Sequence, residues 1–339
     1  MHFEDDTNII VRFPNWLGDC IMALPFLEAL YELNPRTRIT VAARVGLARL
    51  LRNDPRLCEV IRVNDKQHWF RPYSYWKVAR KLQMKRYNYG FILPDSLSSA
   101  YIFYAGHILE RIGYEKEARS RYLTWEIPQP EKEIHRSQKY LNLLDEFGGA
   151  PGSNYFPQIF TNDKIVQKAE QLLSGISRFA VIAPQTRAAS RRWGAEKYAR
   201  LAARIKNELS LDVVLIGAPD EIQAVSEVAE LSGVECLNTA GRSDLLDSYE
   251  IMKRALVYVG NDSGGAHLAG ASGTYTISIS GADDPSETHP LIKQGKIIKK
   301  DIPCSPCVKN VCPRKDHPNE CMDLISVDEV LAAVREAVG

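Results

Sequence analysis

The sequence predicts an α/β protein built as two doubly wound, parallel-sheet halves, and three observations carry that reading. Short apolar runs rich in β-branched residues alternate with helical patterns in both halves, the order that produces parallel βαβ units. At 339 residues the chain exceeds what one small core holds, so two domains are the default. Near the middle, "GGAPGSNYFPQIFTND" (148–163) loses periodicity and gathers Gly, Pro, Ser and Asn, which reads as an interdomain linker.

In the first half, "NIIVRF" (8–13), "RITVAAR" (38–44), "EVIRV" (59–63) and "YGFILP" (89–94) read as buried strands bounded by Pro, Asn, Asp or Gly. The stretch 62–90 mixes Arg and Lys with Trp69, Tyr73, Tyr75 and Trp76. Such a mixture suits a grip on an anionic saccharide or single-stranded nucleic acid. It also suits an amphipathic helix with basic residues snorkelling over a core, the reading preferred for most of it. Over 133–149, Ile134, Tyr140, Leu141, Leu144 and Phe147 can share an apolar face, and Gly148 offers a stop.

The second half restarts the alternation with strand 178–186 and helix 195–209, where Tyr198, Leu201, Ala202, Ile205 and Leu209 form one stripe. Strand 212–219, a helix to about Leu231, and strands 256–262 and 274–281 follow. "SVDEVLAAVREAVG" closes the chain, with Ser326 and Glu329 at capping-box spacing. The expected domains are 1–155 and 165–325, with a final helix 326–339.

Hydrophobic content of 45% and charged content of 25% fit an ordinary globular protein. A net charge of +1 argues against a general nucleic-acid binder. No apolar run approaches the ~18–20 residues that span a bilayer, and acidic "MHFEDDTNII" lacks the regions of a secretion signal. The expected compartment is the cytoplasm, compatible with resting on a membrane surface.

Ligands of doubly wound sheets bind outside the carboxyl ends of strands, so chemistry is sought there. "VYVGNDSGGAHLAGASG" (257–273) ends a strand and opens a helix at Asp262-Ser263-Gly264-Gly265. Glycines let backbone approach a ligand, and helix-start amides favour an anion such as a diphosphate. The plainer alternative is a glycine-rich capped helix start with His267 packed or solvated. "APQTRAASRRWGAEKY" (183–198) follows another strand and offers Thr186, Arg191 and Arg192, whose guanidinium forks suit phosphate oxygens. A solvated basic loop is the alternative. Glu221 in "IGAPDE" could accept from ribose hydroxyls, while Asp220 equally suits an N-cap.

Asp19, in "RFPNWLGDCIMALPFLEAL", stands after the first strand. As an N-cap it would place Pro25 inside the helix and kink it. Alternatively the helix starts near Ala23 and Asp19 sits in an open turn. A carboxylate of ordinary pKa, about 4, can take a proton from an attacking hydroxyl. "LPDSLSSAYIFYAG" (93–106) follows a strand and presents Asp95 and Ser96. Cys304, Cys307, Cys312 and Cys321, spaced C-x2-C-x4-C-x8-C within segment 303–322, suit a structural tetrahedral zinc or iron. Four reduced thiols are the alternative.

In this order the segments resemble glycosyltransferase family 9, the bacterial heptosyltransferases, over nearly the whole chain. The resemblance rests on "NWLGDCIMALPFLEAL", "LPDSLSSAYIFYAGHILERIGY", "SRRWGAEKYARLA", "GNDSGGAHLAGA" and the cysteine-rich tail. It implies a GT-B fold of two Rossmann-like domains with the active site between them. The first would bind the acceptor and the second the nucleotide sugar. The implied activity is inverting transfer of heptose from ADP-heptose to the lipopolysaccharide inner core, without a catalytic metal and with peripheral contact at the inner membrane. Asp19 would be the general base. Thr186, Arg191, Arg192, Glu221, Asp262, Ser263, Gly264, Gly265 and His267 would bind the donor, and Arg12, Asp95, Ser96 and Arg111 the acceptor. A sugar-nucleotide epimerase of similar architecture, a family member using another sugar nucleotide or acceptor, and a non-enzymatic interaction protein are the rivals.

Overall fold

The computed structural model describes residues 3–63, 71–149 and 155–339. Trp69 and part of the expected linker lie outside them. The chain divides into two compact units, Met1–Phe160 and Thr161–Gly339.

The first unit holds strands β1 (Asn8–Arg12), β2 (Arg38–Arg44), β3 (Leu57–Val63), β4 (Tyr89–Ile92), β5 (Glu110–Tyr114) and β6 (Trp125–Ile127). All pair in parallel, in the order β3-β2-β1-β4-β5-β6. Ile9, Ile10 and Val11 of central β1 are buried, with Ile9 in register with Ile39 on one side and Tyr89 on the other. Burial on both faces explains their continuous apolar runs.

Helices α1 (Leu17–Met22), α2 (Leu24–Leu33), α3 (Arg71–Gln83), α4 (Leu97–Ala105) and α5 (Arg136–Leu141) cover this sheet, and α5 runs on as a 3-10 turn, Asn142–Phe147. The expected helix from 133 starts later, at Arg136, because the His135 ring accepts from the Ser137 amide and caps it. Gly148, at φ 81°, stops the run as expected. Phe147 packs in an aromatic cluster with Phe3, Phe91 and Trp125.

Pro25 neither interrupts nor kinks a helix. The chain breaks at Ala23, and Pro25 falls in the first turn of α2, where a missing N–H costs nothing.

The second unit repeats the plan. Strands β7 (Phe179–Ala183), β8 (Asp212–Leu215), β9 (Leu237–Asn238), β10 (Val257–Asn261), β11 (Tyr275–Ile279) and β12 (Gly295–Ile298) lie in the order β12-β11-β10-β7-β8-β9, all parallel. Numbered within its own unit, each sheet reads 3-2-1-4-5-6, the Rossmann order. The helices are α6 (Asp163–Leu173), α7 (Ala195–Leu209), α8 (Ile222–Ser232), α9 (Leu245–Arg254), α10 (Gly264–Ser272), α11 (Pro285–Thr288), α12 (Glu320–Asp323) and α13 (Val327–Val338).

Tyr198, Leu201 and Ile205 of α7 pack on Ile182, Val213 and Val259, and the same core takes Val330, Leu331 and Val334 of α13. The Ser326 hydroxyl caps α13 by accepting from the Glu329 amide at 3.2 Å. In each sheet the strand order reverses once, between β1 and β4 and between β7 and β10. Binding crevices belong outside those carboxyl ends.

Candidate functional site

At the first reversal β1 ends at Arg12 and α1 starts after Trp16. Asp19 lies in the first turn of α1, where an acid complements the helix dipole. It is not the N-cap, and its turn is helical rather than open. Its carboxylate accepts from Arg136 of α5 at 3.3 Å, a partner that no local sequence signal marks. One turn further along α5, the buried Tyr140 phenol is pushed well above its ordinary pKa by burial and then by the Asp19 charge. The neighbouring Cys20 is fully buried, its thiol pushed up to about 12 by burial, so it is a packing residue rather than a nucleophile.

Two expected acceptor residues are otherwise engaged. Arg12 is buried, donating to Asn15 at 2.7 Å, to the Ala42 carbonyl at 3.3 Å and to the Phe13 carbonyl; its guanidinium braces the β1–α1 loop. Arg111 is the second residue of β5, so it sits at the amino end of a parallel strand, away from the end that carries Asp19 and Asp95. There it donates to the carbonyls of Tyr122 and Ile108, each at 2.6 Å. The acceptor assignment of Arg111 therefore loses its geometric basis.

Asp95 and Ser96 follow β4, on the other side of the reversal. Asp95 meets Arg119 at 3.4 Å and Lys139 at 3.3 Å. The Ser96 hydroxyl caps α4 by accepting from the Ser99 amide. Arg119, which the sequence reading missed, is buried beneath this loop and donates to the Pro94 carbonyl at 2.8 Å. A Cβ at Gly113 would stand 2.4 Å from its guanidinium, so a side chain there would push the guanidinium aside.

At the second reversal β10 ends at Asn261 and α10 opens at Gly264. Fully buried Asn261 donates to the Pro184 carbonyl at 2.9 Å and accepts from the Trp193 amide at 3.0 Å, which fixes the loop after β7 against the loop after β10. Ser263 is the N-cap of α10 but its side chain makes no capping bond, leaving first-turn amides to a ligand. A Cβ at Gly265 would lie 2.7 Å from the Tyr258 hydroxyl, so the residue permits close packing under the helix start. His267 is buried on the same helix.

Arg191 forms an ion pair with Asp283, a second residue the sequence did not reveal, and its buried Nε has no hydrogen-bond partner among the described residues. Asp262 is buried beside them and accepts from Ser280 at 2.9 Å. Burial first, then the Asp283 charge, push its carboxyl up to about 6.

Thr186 is buried, and its carbonyl accepts from exposed Arg192 at 3.1 Å. Arg192 thus lies along its own loop. Glu221 turns back to accept from the Ala218 amide at 2.9 Å, the capping duty that was expected of Asp220.

The four tail cysteines are all free thiols. Their donor chemistry suits zinc or iron. The four gather in the fold: the Cys321 thiol is pushed up by burial and then by the charges of Cys304, Cys307 and Cys312. The tail also braces the site. Asn310 accepts from the Ser190 amide at 3.1 Å, and the Cys307 and Val308 amides donate to Ala282 at 3.1 and 2.7 Å. These contacts adjoin Arg191 and Asp283.

The family model of glycosyltransferase family 9 (heptosyltransferase) matches residues 75–317. The chain belongs to that family. Lipooligosaccharide heptosyltransferase 2 of Haemophilus ducreyi is 28% identical over 316 residues, covering 86% of this chain and 88% of that protein. Among solved structures, a family 9 glycosyltransferase from Veillonella parvula superposes with a TM-score of 0.87 at 21% identity, covering 98% of this chain and 97% of that one. Escherichia coli ADP-heptose lipopolysaccharide heptosyltransferase II gives 0.82 at 22% identity, with 98% of each chain covered. The fold is accordingly GT-B, and the protein is a glycosyltransferase. A UDP-GlcNAc 2-epimerase from Methanocaldococcus jannaschii gives only 0.54 at 11% identity, covering 97% of this chain and 91% of that one.

Proposed function

We propose that this family 9 enzyme transfers heptose from ADP-heptose to the inner core of lipopolysaccharide by a single inverting displacement. The observation that carries the donor half is the start of α10 at the carboxyl end of β10, with Arg191 beside it. Helix-start amides and a guanidinium are the groups that a diphosphate leaving group requires.

In the displacement an acceptor hydroxyl oxygen bonds to the anomeric carbon. The bond from that carbon to the ADP oxygen breaks, and its electron pair departs on the β-phosphate. Asp19 takes the hydroxyl proton. Arg191, Thr186 and the amides around Ser263–Gly265 hold the charge that develops on the diphosphate, so no step requires a divalent ion. Asp262 and His267 position the sugar, because a buried carboxyl suits a hydroxyl better than a phosphate. Asp95 and Ser96 line the acceptor side.

The first unit thus handles the acceptor and the second the nucleotide sugar. A lipid-linked acceptor places the reaction at the cytoplasmic face of the inner membrane. No helix among the described residues is long and apolar enough to cross that membrane.

A mass-spectrometric transfer assay with ADP- and UDP-sugars against truncated core acceptors tests the reading. The expected product is an acceptor heavier by one heptose with ADP-heptose alone. Transfer from UDP-sugars only would move the enzyme to another donor. Isomerised sugar nucleotide in the absence of acceptor would establish an epimerase, and calorimetry showing no ADP binding would leave an interaction protein.

A further inference from the structure

Of the large apolar side chains that the described residues expose, six fall within the short stretch 76–109: Trp76, Met84, Leu97, Tyr101, Tyr104 and Leu109, between 43% and 81% exposed. They follow helical spacing. Trp76 and Arg80 run along the outer face of α3, opposite buried Ala79 and Leu82, and Met84 follows directly after its last residue. Leu97, Tyr101 and Tyr104 run along the outer face of α4, opposite buried Ala100 and Phe103.

Helix α4 is therefore apolar on both faces, and such a helix at a surface signals a covering. The two stripes adjoin, because Gln83 of α3 donates to the Ala105 carbonyl of α4 at 2.7 Å, and a Cβ at Gly106 would meet Leu82 at 2.9 Å. Tyr122 extends the patch, its ring 5.5 Å from Tyr101 and 5.3 Å from Tyr104.

Basic residues outnumber acids around the patch. Residues 75–86 carry Lys77, Arg80, Lys81, Lys85 and Arg86 with no acid, and 97–109 carry no Asp, Glu, Lys or Arg. Arg80 lies over Trp76, Arg111 over Tyr104 and Arg121 over Tyr122, at 5.3, 5.6 and 5.3 Å. The marginal acids are engaged: Glu59 by Lys81 and Lys85, and Glu110 by Thr124.

We propose that the α3–α4 face of the first unit docks on an anionic phospholipid surface. Protein interfaces deplete lysine at their cores, whereas interleaved Lys and Arg with Trp and Tyr match the boundary between headgroups and acyl chains. Asp95 and Ser96 lead straight into Leu97, so the candidate acceptor loop stands at the edge of the docked face. The surface rests on the proposed function only for the claim that the acceptor is lipid-linked.

Sedimentation of the full chain with phosphatidylglycerol-containing vesicles, against phosphatidylcholine vesicles, is the test. The full chain should bind the anionic vesicles at least about tenfold more tightly, and high salt should weaken that binding. Two paired substitutions, Tyr101→Ser with Tyr104→Ser and Lys77→Glu with Arg80→Glu, should each lower it by about tenfold or more. Unchanged melting temperature and ADP binding in both would show an intact fold. The proposal is overturned if the full chain ignores anionic vesicles, if the folded variants bind as the parent does, or if the same residues instead hold a dimer in sedimentation velocity. Heptosyl transfer to a soluble acceptor without vesicle binding would remove the surface and leave the activity. Vesicle binding without transfer from any sugar nucleotide would uphold the surface and remove the activity.

Discussion

At the carboxyl end of β1 the first unit presents a carboxylate, Asp19, held by an arginine from a remote helix. At the corresponding reversal beside β10 the second unit presents a glycine-rich helix start, flanked by Arg191, Asp283 and buried Asp262. The strand order is the same, and the chemistry differs. Activating a hydroxyl needs one localised base, which a side chain fixed by an ion pair supplies. A diphosphate spreads its charge over several oxygens, which backbone amides and a guanidinium meet better. On the proposed function, one scaffold yields a base site and a diphosphate site through the loops at its reversal points, and substitutions in one unit should leave the other's task intact.

The largest separation is expected from Asp19→Asn. Transfer should fall by about 10²–10⁴-fold, while ADP affinity measured by calorimetry stays within about twofold. Near-parental turnover would remove Asp19 as base. The converse is Arg191→Met, which should weaken ADP binding by about ten- to a hundredfold through loss of charge-assisted bonds. An unchanged ADP affinity would take the diphosphate away from this loop.

Central strands such as β1, β7 and β10 are continuous apolar runs because both faces are covered. Four others went unread: β5 mixes Glu110 and Arg111 into five residues, β6 and β9 span three and two, and β12 is short with an exposed lysine. Missing β5 hid its direction, and with it the fact that Arg111 stands at the wrong end. Asp19 and the Asp262–Gly265 motif were legible because each follows a strand end. Their partners were not. Arg136 lies 117 residues from Asp19, and Arg119 reaches Asp95 only because β5 lies beside β4.

Arg119 supports the first unit's loop from below. Arg119→Met removes a buried cation that supports the Pro94–Asp95 loop, and should cost roughly 2–3 kcal/mol of stability. The melting temperature should drop and acceptor KM rise, with ADP affinity intact because the proposed nucleotide site lies in the other unit. A variant as stable as the parent would show that the buried ion pair is replaceable by packing.

A pH-dependent effect is expected in the second unit. The Asp262 carboxyl stands at about 6 in the folded chain, raised by burial and by Asp283, against an ordinary value near 4 in the unfolded chain. Between those values the folded state holds the proton and the unfolded state does not. Ionising Asp262 therefore lowers stability as pH rises through this window, a penalty complete above about pH 6 and on the order of 3 kcal/mol. Asp262→Asn keeps an acceptor for the Ser280 hydroxyl and removes the penalty. The variant should melt higher than the parent at pH 8, the advantage shrinking through pH 5 and vanishing below about pH 4. A difference constant with pH would mean that the amide acts through packing, and that the carboxyl beside Asp283 titrates in the ordinary range.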